Sequence, residues 1–134
     1  MQYSILAQST AKQSASINIK ETKTDFGITP ETADTLPSPA ELFLGAFASC
    51  VLKNVERFSG FMKFSYSRAE IEVNAVRLEK PPRMDEIYYT LRIFSDDEKL
   101  NVPLLKKNLE KFGTIYNTVK LSSSVDGEIL VVSE

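Results

Sequence analysis

The chain has 134 residues, 43% of them hydrophobic: the size of one domain, with enough apolar material to close one core without disulfides or a structural metal. Its 16 basic and 18 acidic residues are interspersed without a basic stripe, which excludes attraction to a phosphate backbone or an anionic membrane surface. A single cysteine, Cys50, excludes an intramolecular disulfide, and the lack of histidine removes the usual general base and the commonest metal ligand, so no cofactor and no metal are expected.

The opening residues, Met1 to Leu6, lack the basic segment and apolar run of a secretion signal, and no apolar stretch reaches membrane-spanning length. The reading is a soluble cytoplasmic protein, one domain over residues 1–134, with neither nucleic acid nor membrane as partner. Over the first thirty residues, short β-leaning runs such as Ser16-Ile17-Asn18-Ile19-Lys20 alternate with polar ones, then give way to Gly27, Pro30, Asp34 and Pro37. That predicts two edge-like strands and a loop.

Helix signals converge at Ser38: it is an N-cap, Pro39 takes the first helical position, and Glu41 closes a capping box. From Leu42 to Leu52 nearly every residue is apolar or small, so this half of the helix is expected to be buried on all sides. Lys53, Asn54, Glu56 and Arg57 give the second half a wet face, and the helix should end near Ser59-Gly60. Ile71, Val73 and Ala75 then alternate with Glu70, Glu72 and Asn74; beyond Pro81-Pro82-Arg83, Ile87, Tyr89, Leu91 and Ile93 alternate likewise, which predicts a two-strand hairpin with a polar outer face.

Asn101 and Pro103 start a shorter helix carrying Leu104, Leu105, Leu109 and Phe112, with Gly113 expected to end it in a left-handed conformation. A second short helix follows from Thr114, then a turn over Val125-Asp126-Gly127-Glu128 and a last strand, Ile129 to Val132. The order ββ-α-ββ-αα-β describes an α+β domain around a long central helix.

Only Cys50 offers strong nucleophilic or redox chemistry at neutral pH without a metal. At about 100° per residue, Phe43, Ala46 and Phe47 lie on its N-terminal side and Lys53, Asn54 and Arg57 on its C-terminal side. Side chains on a helix lean toward its N-terminus, so Lys53 and Arg57 lean back toward the sulfur and are candidate stabilisers of a thiolate. The competing reading is equally physical: a cysteine among Ala, Phe, Val and Leu is a small inert hydrophobe, and late basic residues complement the helix dipole. Glu41 lies nine residues earlier, roughly 13 Å along the axis and about 180° around it, and is assigned to capping. The Asp96-Asp97-Glu98 run reads as a solvated turn, and Tyr88, Tyr89 and Phe94 as cross-strand packing or the lining of an apolar pocket. Gly45, Ala46, Ala48 and Ser49 give the helix a slim surface suited to close helix–helix contact.

The run Pro37-Ser38-Pro39-Ala40-Glu41-Leu42-Phe43-Leu44-Gly45-Ala46-Phe47-Ala48-Ser49-Cys50 resembles the signature of the OsmC/Ohr family, the osmotically inducible protein C and organic hydroperoxide resistance proteins. Phe112 to Lys120 is similar to the family's later motif, in which a cysteine and a proline precede a Val/Ile-x-Asn-x-Leu helix. The resemblance implies an intertwined homodimer with the active site at the subunit interface, where a peroxidatic cysteine, matched by Cys50, attacks an organic hydroperoxide. The family's resolving cysteine falls at Gly113, its activating glutamate at Ala40, and its arginine from the N-terminal strands has no counterpart, since Arg57 is the first arginine. The resemblance therefore implies one-cysteine reduction of organic hydroperoxides with an external thiol reductant. The alternatives are a non-catalytic relative that binds a small apolar ligand or has a structural role, and an unrelated monomeric α+β binding module.

Overall fold

The computed structural model describes residues 1–134 and divides into two compact units, Met1–Phe43 and Leu44–Glu134. No helix is long and apolar enough to cross a membrane.

The first unit is built on an antiparallel sheet of three strands, β1 (Leu6–Thr10), β2 (Ser14–Ile19) and β3 (Thr22–Phe26), in that order. Two strands were expected from the sequence; the third, Thr-Lys-Thr-Asp-Phe, has too little apolar alternation to announce itself. Its turn is also disguised. Lys20 takes a φ of 53° at the first position of the two-residue turn where glycine is the common choice, and Lys12 takes 65° in the turn before. A single 3-10 turn at Pro30–Thr32 follows, and Gly27 N donates to Pro37 O at 3.0 Å to close the loop.

Helix α1 runs from Pro39 to Met62. Its start follows the predicted capping box: Ser38 N donates to Glu41 Oε1 at 3.0 Å, and Glu41 N donates to Ser38 Oγ at 3.2 Å. Its end differs from expectation, passing through Ser59 and Gly60. Lys63 instead adopts the left-handed conformation, φ 57°, and Phe64 N donates to Ser59 O at 3.1 Å, the long-range bond of a Schellman cap. Phe64 is buried, so packing of the chain beyond the helix, rather than the available glycine, sets the stop.

In the second unit a sheet with order β4-β5-β6 comprises β4 (Arg68–Glu79), β5 (Pro82–Phe94) and β6 (Val125–Val132). The predicted hairpin is present and longer than its apolar alternation, with Val73 facing Tyr89 and Ile71 facing Leu91; the register shifts between Asn74 and Val76. The sheet has a third member, because β6 pairs parallel to β5 over its whole length. The turn expected at Val125 to Glu128 is therefore strand. Gly127 sits inside that strand because the Tyr89 ring lies across it: a Cβ there would collide with Cγ, Cδ1 and Cε1 of the ring.

One face of β5, formed by Ile87, Tyr89, Leu91 and Ile93, is buried with Phe47, Val51, Val55 and Phe58 of α1 in a single cluster. That cluster is completed by α2 (Val102–Phe112), through Leu105 and Leu109, and by α3 (Thr114–Val119), through Tyr116 and Val119. Asn101 caps α2 as expected, its Oδ1 accepting from Leu104 N at 3.1 Å. The expectation that Leu42 to Leu52 is enclosed on every side does not hold in the single chain: only Phe47 and Val51 are buried, while Gly45, Ala46 and Ser49 are exposed. Small residues permit close packing without demanding it, and in the single chain one side of this stretch is buried.

Asp97, in the expected solvated turn, accepts from Ser65 N at 2.8 Å and from Lys99 N at 2.8 Å, which holds its carboxyl below the ordinary carboxylate range. Asp85 is lowered in the same way by Ser124 N and Glu86 N. A carboxyl depressed in the folded state lends stability above its unfolded value, about 3.9, and loses it as pH falls through the folded value. Stability should thus decline below about pH 4, and Asp85→Asn with Asp97→Asn should flatten that decline in denaturant titrations run at successive pH values. For Gly127→Ala we expect a loss of about 1–3 kcal/mol from forced overpacking against Tyr89. Part of that loss should return when Tyr89→Leu is added, as read by a double-mutant cycle of thermal unfolding.

Candidate functional site around Cys50

A hollow of about 410 Å³ in the first unit is lined by Gln8, Ser14, Ser16, Lys23, Asp25 and Leu36 among others and contains no activated nucleophile. The chemistry-bearing side chain is Cys50, midway along α1. Phe47 and Asn54 lie about one turn to either side of it, and both are buried. Cys50 itself is half-buried, between an inert core position and a surface thiol.

Opposite the sulfur lies the junction of α2 and α3. Gly113 joins them at φ −73° and ψ 117°, an extended conformation open to any residue, which corrects the left-handed cap expected there. Its need for glycine is steric. A Cβ at this position would lie 3.0 Å from Leu109 O, 3.0 Å from Tyr116 Cβ and 3.4 Å from Cys50 Sγ. The later motif and the cysteine motif, 63 positions apart in the chain, therefore meet at van der Waals distance.

The hydrogen-bonding group nearest the sulfur is Asn54, whose Nδ2 lies 3.7 Å from Sγ and donates to Cys50 O at 2.9 Å. Sequence reasoning placed Asn54 on the wet face with Lys53, Glu56 and Arg57; those three are exposed, but Asn54 is buried. The signal available was its spacing, four residues after Cys50, which stacks the two side chains. Lys53 makes no ion pair, and Arg57 holds its guanidinium 5.5 Å from the ring centres of both Phe58 and Phe61. Glu41, the remaining carboxylate of the first motif, is exposed and engaged in its capping bond with Ser38.

Beyond Phe47 the core turns polar. The Phe47 ring lies 6.2 Å from that of Tyr89 and 5.7 Å from that of Tyr116. Tyr89 OH donates to Glu110 Oε2 at 3.1 Å, and Lys106 Nζ donates to the same oxygen at 2.7 Å while facing Asp126 at 3.6 Å. Burial, then the Glu110 carboxylate, drives the Tyr89 phenol far above its usual range and pushes Tyr116 up to about 12. Both phenols thus stay protonated at physiological pH, as donors rather than bases. The sulfur thus lies among aromatic carbon, a glycine backbone and one amide.

A family model described as "OsmC-like protein" matches residues 32–128, which include both motifs. No curated protein matches the sequence. Among solved structures, the chain is similar to an OsmC-like protein from Mycoplasma pneumoniae at 14% identity and a TM-score of 0.87, covering 98% of each chain. It is also similar to an organic hydroperoxide resistance protein OsmC from Legionella pneumophila, at 15% identity and a TM-score of 0.68, covering 98% of this chain and 99% of that one. The organic hydroperoxide resistance protein OhrB of Bacillus subtilis has a TM-score of 0.63 at 15% identity, over 96% of this chain and 98% of that one. At these identities the likeness shows the fold.

The meeting of Cys50 with the α2–α3 junction yields a direct test. Gly113→Cys should form a bridge to Cys50 under mild oxidation, since a sulfur bonded to a Cβ already 3.4 Å from Sγ reaches disulfide geometry with a small shift. Non-reducing mass spectrometry should find both thiols protected from alkylation; two free thiols after oxidation would show that Cys50 does not face the junction.

Proposed function

We propose that this chain, which belongs to the OsmC-like protein family, is a one-cysteine reductase of organic hydroperoxides with Cys50 as the peroxidatic thiol. The observation that carries the proposal is the surroundings of Cys50: a half-buried thiol next to Phe47, with an amide donor on one side and the backbone of the second family motif on the other. In the reaction, the Cys50 thiolate attacks the terminal peroxide oxygen; the S–O bond forms, the O–O bond breaks, and the alkoxide leaves and takes a proton from solvent. Sulfur is oxidised by two electrons to the sulfenic acid as the hydroperoxide becomes an alcohol. An external thiol then condenses with the sulfenic acid, releasing water, and a second thiol attacks the mixed disulfide to restore Cys50. Gly113, standing where the family's resolving cysteine falls, makes the external thiol necessary, because the chain has no second sulfhydryl.

A homodimer is part of the same proposal. The exposed run Gly45, Ala46 and Ser49 is a slim helical surface on which another helix can approach closely, and a second copy would enclose the half of α1 that the single chain leaves open. The cytoplasm, where small thiols are kept reduced, is the compartment that would support turnover. Lys53 and Arg57 would act here as a diffuse positive field at the mouth of the site, with Glu41 confined to the helix cap. The second reading, a non-catalytic relative binding a small apolar ligand, draws on the tight packing at Gly113, which is equally what an inert helix junction requires.

Alkylation of Cys50 across pH in the native protein, with mass spectrometry after stoichiometric cumene hydroperoxide or hydrogen peroxide and with Cys50→Ser as control, separates the two. The proposal expects alkylation of the folded protein and dimedone-trapped sulfenic acid formed faster with the organic peroxide. A thiol that reacts only after unfolding would replace catalysis with the ligand-binding reading.

A further inference from the structure

Asn54 is out of place by every rule that shapes its helix. Its buried companions on α1 are Phe47, Val51, Val55 and Phe58, asparagine is a weak helix former, and an amide among apolar side chains is stable there only if it is hydrogen-bonded. Asn54 is 9% exposed; its Nδ2 donates to Cys50 O at 2.9 Å and lies 3.7 Å from Cys50 Sγ. Its Oδ1 receives no hydrogen bond from the protein. No side-chain nitrogen or oxygen in the chain is both shut from solvent and unpartnered, so Oδ1 keeps some access to solvent. A buried amide whose nitrogen reaches a thiol and whose oxygen has no partner in the chain is suited to receive a group bearing its own O–H next to that sulfur.

We propose that Asn54 orients the substrate at Cys50, its Nδ2 donating to the thiolate and its Oδ1 accepting the O–H of the incoming hydroperoxide. This rests on the hydroperoxide reading above and adds the group that does the recognition. The chemistry suits an amide, which cannot titrate in this range. The hydrogen on the terminal peroxide oxygen stays on that oxygen when the sulfur takes it, so the bond to Oδ1 is kept from substrate to sulfenic acid and no proton passes through Asn54. The leaving alkoxide draws its proton from solvent. Lys53 and Arg57 on the same helix and Tyr116 on α3 are the nearby titratable groups named above; none is bonded to the amide, so its effect is separable from theirs.

Two variants test the assignment in the full chain, each checked for cooperative unfolding: Asn54→Leu, which fills the site without donor or acceptor, and Asn54→Asp, which keeps the shape and loses the donor. Two rates are read, iodoacetamide alkylation of Cys50 against pH and sulfenic acid formation with cumene hydroperoxide. Loss of a hydrogen bond to a charged sulfur should move the alkylation midpoint up in Asn54→Leu, and further up in Asn54→Asp, whose carboxylate also repels the thiolate. Sulfenic acid formation in Asn54→Leu should fall roughly tenfold further than alkylation does, through the missing acceptor. If Asn54→Leu does not fold, Asn54→Asp carries the test, with both rates expected to drop. Wild-type rates in a folded variant would overturn the assignment. A wild-type protein that alkylates normally yet forms no sulfenic acid would instead overturn the hydroperoxide reading and the acceptor role with it, while the shift in alkylation midpoint would still decide the donor role.

Discussion

The architecture of the second unit depends on one contact, the burial of a single stripe of α1 against a single face of β5. Phe47, Val51, Val55 and Phe58 follow helical spacing, and Ile87, Tyr89, Leu91 and Ile93 follow strand spacing; the two sets close on each other in one cluster. Each large side chain so enclosed contributes about 1.5–3 kcal/mol relative to exposure, so the seam dominates any other local term. It also fixes the rotation of α1 about its axis, leaving Cys50 and Asn54 at the margin of the stripe, where α2 and α3 fold over it. The thiol's surroundings follow from that rotation rather than from a dedicated loop.

At one end of the seam the core admits charge in an ordered way. Tyr89 reaches across β6 because Gly127 has no side chain there, and its hydroxyl ends on Glu110, which Lys106 neutralises from the next turn of α2. A buried phenol next to a carboxylate would be costly if either lacked a partner; here each has one. The same arrangement anchors α2 to the sheet and so sets the junction at Gly113 against α1.

What the sequence disclosed and what it hid divide along physical lines. The capping box at Ser38 and Glu41, the cap at Asn101 and the alternation around Leu91 were legible because each is a local rule written in adjacent residues. The third N-terminal strand was hidden by lysines in left-handed turns, and the end of α1 by Lys63, which takes a conformation the nearby Gly60 could have adopted more cheaply. Glycines misled in the opposite direction: Gly113 and Gly127 looked like turn residues, whereas both are places where another group comes too close for a Cβ. Cys50 was legible as the candidate thiol and Asn54 as a neighbour along the helix, but the burial of Asn54 and the close approach of Gly113 were not. The first needed knowledge of which helical face is buried, and the second needed a contact between distant segments that no local pattern encodes.

The backbone at Gly113 has a consequence for how such proteins diverge. Because it is extended, with φ at −73°, no conformational penalty stands against other residues at that position; only two neighbouring atoms and a sulfur do. Glycine and cysteine codons differ by one base, so a chain with one sulfhydryl at this junction and a chain with two facing ones are a single substitution apart, opposed by a few tenths of an ångström of crowding rather than by the fold. Lineages could cross that threshold repeatedly in both directions while keeping the same scaffold.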